Sequence, residues 1–142
     1  MPEINNTQAR LEAASDLPAL LTAAWDAFSV LLAACQDGQD RSAELFAAFA
    51  FAAAAAAQGR LIIAGAPSLP ADLDLSEATS SGAAGEPDPG KLAGVLASLA
   101  GQLAGRLSSA ARESAGPGDR DACQDAAGQA ARVCEILEPG TP

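Results

Sequence analysis

The chemistry open to this chain is set first by what it lacks. With no histidine and no tyrosine, Ser-His-Asp and Cys-His constellations cannot be assembled within one copy. The Glu-x-x-His pairs of ferritin-like di-iron sites are missing for the same reason. Three cysteines and a few charges at helical spacing remain. Cys123 and Cys134 lie eleven residues apart, ~16 Å along a helix axis, so they share a face without reaching each other. Cys35 ends one apolar stripe and Cys123 begins another, which would bring them level as a redox-sensitive pair in an up-down arrangement. The plainer reading is three small buried hydrophobes with inert thiols. Their spacing suits no zinc site, and neither a metal nor another cofactor is expected.

Charges offer a second constellation. An Asp26–Arg60 pair, or Arg41 with Glu44, would orient the polar end of a ligand. Surface-paired charges of small energetic weight are the simpler account. Trp25 and Phe28, with Phe46, Phe49 and Phe51, would line an apolar pocket, although aromatics at helical spacing more often fill a core. A ligand site between these helices would use Trp25, Asp26, Phe28, Phe49 and Arg60.

Elements that could carry such residues must be built from unusual material. Of 142 residues, 37 are alanine, and Leu, Ile, Val and Phe together number 28. That is near the one-fifth level at which disorder becomes a serious option, but the net charge of −10 is moderate. The large apolar residues also recur at gaps of 3 and 4, so a folded domain with a thin, alanine-rich core is expected. A thin core favours self-association, because a second copy buries further apolar surface. With a pI near 4.1 and eight scattered Lys and Arg, the chain is repelled by nucleic-acid phosphates and anionic lipid. The N-terminal residues carry no signal-peptide pattern and the cysteine count is odd, so a cytoplasmic location is expected.

The strongest helix opens at Asp16-Leu17-Pro18 and runs over 17–36. Its stripe is Leu17, Leu20, Leu21, Ala24, Trp25, Phe28, Leu31, Leu32 and Cys35. "QDGQD" at 36–40 then reads as a tight connection. Asp40 would cap a second helix over 41–64, ended by Gly65 and Pro67. From Leu45 to Ala57 that helix is apolar on every side. Thirteen residues are too few to span a bilayer, and Arg60 is costly there, so the expectation is a central packing helix and not a membrane span. Residues 66–88 are rich in Pro, Gly, Ser and acids, an expected mobile acidic loop.

Asp88-Pro89 opens a third long helix over 89–113, with a core stripe of Leu92, Val95, Leu96, Leu99, Leu103 and Leu107. Its small-residue strip, Gly94, Ser98, Gly101 and Gly105, is expected against the alanine helix. Asp119 would cap a last helix over 120–137, whose stripe is Cys123, Ala126, Ala127, Ala130, Val133, Cys134 and Leu137. A short helix near Thr7–Ala14, capped by Asn5 or Asn6, precedes them all. The expectation is an all-α single domain over 1–142, an up-down four-helix bundle of two helical hairpins joined by the long acidic loop. Its expected role is non-enzymatic, through protein contacts or as a homo-oligomer. The alternative is a small apolar-ligand-binding helical protein or enzyme.

Overall fold

Asp16 does what its position predicts: its carboxylate accepts the Ala19 N–H at 2.9 Å, with Pro18 tolerated in the first turn. The helix it opens, α2 (Leu17–Arg41), is the second of five in the computed structural model, which describes residues 2–67, 89–113 and 116–138. The others are α1 (Pro2–Ala13), α3 (Phe46–Ala64), α4 (Pro89–Glu113) and α5 (Pro117–Leu137). All five pack together, and no strand occurs among the described residues. The expected loop over 66–88 falls mostly outside the described residues.

Three boundaries differ from expectation, each for a local reason. α1 begins at Pro2, so positions 5 and 6 lie inside the helix and not at its N-terminus. α5 begins at Pro117 with Gly116 as its cap, which puts Asp119 in the first turn, where it is buried. The largest change is at "QDGQD". It is helical, and α2 continues to Arg41, with Asp40 in its last turn. The connection is instead Ser42–Leu45, closed by the Leu45 N–H donating to Ser42 Oγ at 3.1 Å.

Gly38 explains that extension. It is buried, and a Cβ placed there would lie 2.8 Å from the Phe49 ring. The reciprocal seat is Gly59 of α3, where a Cβ would fall inside contact distance of the Phe28 ring. Both residue pairs sum to 87, which fixes α2 and α3 as antiparallel neighbours in one register. Glycine here is not a helix breaker. It is the floor on which a partner helix sets a ring, and the ~1 kcal/mol cost of each interior glycine is offset by burying a phenylalanine.

α3 also packs on α5, α5 on α4, and α4 on α2, while α1 lies across α2 and α4. The ends show how these helices run. Pro67, after α3, is against Gly118 in the first turn of α5. Gly90 and Ala93 of α4 share a concavity with Leu45 and Phe49 at the start of α3 and Leu137 at the end of α5. Arg106, late in α4, donates to the Ala14 carbonyl at 2.6 Å, just before α2 begins. So α3 and α4 start at the same end of the molecule and run the same way. The up-down order expected from the sequence is corrected at this junction: every packed neighbour among α2–α5 is antiparallel, but α3 and α4 are parallel and off each other's faces.

This ring order also corrects the expected seat of the α4 glycines. α4 packs on α5 and α2, so its small-residue strip does not meet α3. A Cβ at Gly94 or Gly105 would touch nothing within 4 Å, and one at Gly101 would meet only Cys134 Sγ at 3.6 Å. The alanines of α3 that are buried, Ala52, Ala53, Ala55 and Ala56, belong to a core shared with Ala126, Ala127 and Ala130 of α5. Since Gly94 and Gly105 take nothing from packing, replacing both with alanine should stabilise the protein by about 1 kcal/mol per site. Urea denaturation followed by circular dichroism checks this, and unchanged or lowered stability would mean that these glycines have contacts of their own.

Candidate interaction surface

Of the residues singled out for chemistry, the structure brings Trp25 and Arg60 together and does not gather the others around them. Asp26 pairs with Arg10 of α1, an exposed contact. Arg60 instead lies over the Trp25 ring, 5.5 Å from its centroid, and donates to Ser29 Oγ at 3.4 Å. The expected Asp26–Arg60 pair is therefore not formed. Arg41 donates to Asp37 at 3.3 Å across one helical turn. Phe28 and Phe49 are fully buried on their glycine seats, Trp25 is buried at the edge beside Arg60, and Phe46 and Phe51 face outward. The five aromatics thus do not line one pocket.

The cysteine pair is also corrected. On the α2–α3 register, Cys35 stands level with Ala52. On the α3–α5 register, set by Pro67 with Gly118 and by Phe49 with Leu137, Cys123 stands level with Ile62. Ten residues of helix separate those levels, ~15 Å along the axis, beyond the reach of a disulfide. All three thiols are free. Burial pushes the Cys35 thiol up to about 12. Burial, and then the Asp119 carboxylate, raise Cys123; burial, and then Glu138 and Glu135, raise Cys134. None is an activated thiolate.

Concavities lie at both ends of the molecule. A cleft of about 420 Å³ lies where α1 meets α2, lined by Ser15, Asp16, Leu20, Arg106, Ser109 and Glu113 among others. A smaller one of about 240 Å³ lies at the opposite end, beside Phe49 and Leu137. Among the described residues no three Cys, Asp or Glu side chains converge to hold a metal ion.

The feature that stands out is instead the outer face of α3. Its exposed positions include Ala47, Phe51, Ala54, Gln58, Leu61 and Gly65, at gaps of 4, 3, 4, 3 and 4. That is a seam of the 3.5-residue period by which one helix docks along another. Phe51 is 67% exposed and Leu61 68%, with Phe46 at 52% beside them. No charged side chain lies on this face. The helix's one charge, Arg60, is turned back onto Trp25. By contrast, α5 exposes Arg120, Asp121, Asp125, Arg132 and Glu135, and α2 exposes Gln36, Asp37 and Asp40. The sequence predicts an all-round apolar helix covered by other helices or by a second subunit, and within one copy Phe51 is not covered. The seam is not legible in the spacing, because alanine on every other side gives it no polar background to stand against.

α2 and α3 are also the two described helices long and apolar enough to cross a membrane, each with a mean hydropathy of 1.6 over its most apolar stretch. Comparison with protein-family models, with curated proteins and with solved structures returns no match to this chain.

Proposed function

We propose that this chain is a non-enzymatic helical protein of the cytoplasm that works by protein contact, with the outer seam of α3 as its contact surface. In this reading α2–α5 form a four-helix bundle and α1 is a strap across the α2–α4 groove. The observation that carries it is that, among the described residues, α3 turns to solvent an uncharged, regularly spaced face that holds the two most exposed large hydrophobic side chains, Phe51 and Leu61. Exposed apolar patches of several hundred Å² mark interaction sites on soluble proteins. Phe51 and Leu61 are wasted on a monomer and contribute fully once covered.

A bilayer is a poorer partner for the same face. Asp26 and Arg60 lie within the two apolar helices, and each charge costs ~2.5–3.5 kcal/mol at a bilayer centre. An interfacial helix wants Lys and Arg at its flanks, whereas acids outnumber bases by 18 to 8 in this chain. Three free thiols suit a reducing compartment, and the absence of a basic patch leaves nucleic acid no footprint.

The test is the size of the native complex. Tagged chain in the cells that make it should migrate above its monomer mass, and a Phe51→Gln/Leu61→Gln variant should migrate as monomer with its helical signal intact. Both side chains are already exposed, so the fold does not depend on them. A wild-type chain that migrates alone, or a variant that keeps its complex, would refute the contact reading.

A further inference from the structure

We infer that the partner on the α3 seam is a second copy of this chain, paired antiparallel about a two-fold axis near Ala56. The inference rests on the reading of α3 as a contact surface and adds the occupant and its register. The order along the seam is Ala47, Phe51, Ala54, Gln58, Leu61, Gly65. Reversed upon itself, it places Phe51 against the partner's Leu61, Ala54 against the partner's Gln58 and Ala47 against the partner's Gly65. Large side chains therefore meet at both flanks and the smaller Ala54 lies toward the centre. Two crossing helices need that distribution: they come closest at the crossing point, where alanine allows approach near 8 Å, and diverge where Phe and Leu fill the gap. A single self-complementary patch is what a two-fold interface requires.

Gln58 adds specificity. It is the one polar side chain on the seam, two residues from the proposed axis, so it lies opposite the partner's Ala54 and ~6 Å along the axis from the partner's Gln58. A lone polar residue at a seam position selects register and orientation, at some cost in stability. A parallel pairing would instead stack Phe51 on Phe51, leaving Leu61 to pair with itself.

Area sets the strength. Aromatic side chains bury 150–250 Å² each, so Phe46 and Phe51 at 52% and 67% exposure offer roughly 200–300 Å². Leu61 and the alanines extend the patch but keep it below the ~800 Å² per partner of a standard interface. The dimer is accordingly concentration-dependent, held by three large side chains a copy and free of charge repulsion at its centre.

The experiment uses the full chain with Cys134→Ser, which removes the one thiol that is not buried. Light scattering after gel filtration should show a dimer at tens of micromolar that dissociates on dilution, and Phe51→Gln/Leu61→Gln should weaken it at least tenfold. Phe51→Cys and Leu61→Cys chains, mixed and oxidised, should cross-link to each other several-fold more than either does to itself. In the antiparallel register the like pairs are set ten residues, ~15 Å, apart along the axis.

Four outcomes would overturn the inference. They are a strictly monomeric chain at high micromolar concentration; dominant Phe51→Cys self-cross-links, which mean parallel pairing; flotation with phosphatidylcholine–phosphatidylglycerol vesicles that the glutamine variant loses, which means lipid; and cross-linking within one chain between Phe51→Cys and Leu73→Cys, which means that the chain's own acidic stretch over 66–88 occupies the seam. A purified monomer whose cellular complex still disappears in the glutamine variant would sink the self-pairing and leave the contact surface standing with another protein on it.

Discussion

Phe28→Ala is expected to remove about 3–5 kcal/mol of stability, the usual cost of deleting a buried phenylalanine and a large part of the ~5–15 kcal/mol that holds a domain together. Its ring is fully buried between α2 and α3, seated directly on Gly59. Gly59→Ala attacks the same contact from the other side. The added methyl would lie 2.8 Å from Phe28 Cδ1 and closer still to the ring edge, so either ring or helix must move, at about 1–3 kcal/mol. The two changes together test the contact itself. With the ring gone, the methyl at 59 has room and partly refills the cavity. The double variant should thus be more stable than the two losses predict, by about 1–3 kcal/mol of coupling. Urea titrations of the four proteins close the cycle. Additive losses would mean that Phe28 and Gly59 do not hold α2 against α3, and the register drawn from them would fail.

That seat also shows where sequence reasoning reached and where it stopped. Periodicity found the cores of α2, α4 and α5 because each carries a stripe against a polar background. Leu20, Leu21, Trp25, Phe28 and Leu31 are buried as expected, as are Leu92, Leu96, Leu99, Leu103 and Leu107 of α4, and Val133 and Leu137 of α5. Val95, counted in the α4 stripe, is 38% exposed. In α3 the apolar positions have no polar background to stand against. Alanine on all sides erases the contrast between inside and outside, so Phe49 and Phe51 read alike, although one is fully buried and the other faces water. Gly38 misled for a different reason. Flanked by Asp and Gln, it has the local chemistry of a turn, and only the approach of Phe49 from a helix later in the chain makes it a core position. The direction of α4 was likewise beyond local signals, since a long connection permits either sense and the packing of α4 on α5 and α2 decides it.

The same burial that closes off thiol chemistry gives stability an alkaline limit. Cys35 ionises near 9.0 in the unfolded chain, but its burial in the folded protein moves that to about 12. Between those values the folded state holds a proton that the unfolded state has lost. Stability therefore falls as pH rises: the contribution is fully present below pH 9 and is lost progressively toward pH 12, by up to about 1.4 kcal/mol for each pH unit. Cys123 and Cys134, raised in the same direction, add to the decline. Cys35→Ala keeps the pocket apolar and removes the titrating group, so its stability should decline less steeply above pH 9 than that of wild type, even if it starts lower. Reactivity follows the same logic. At pH 8 the folded protein should offer Cys134 to a thiol reagent quickly, and Cys35 should react about a thousand-fold more slowly than a thiol of ordinary pKa, since that is the ratio of their thiolate fractions. A Cys35 that labels as fast as Cys134 in the folded protein, or a Cys35→Ala variant with an unchanged alkaline slope, would show that this thiol is not sealed in the core between α2 and its neighbours.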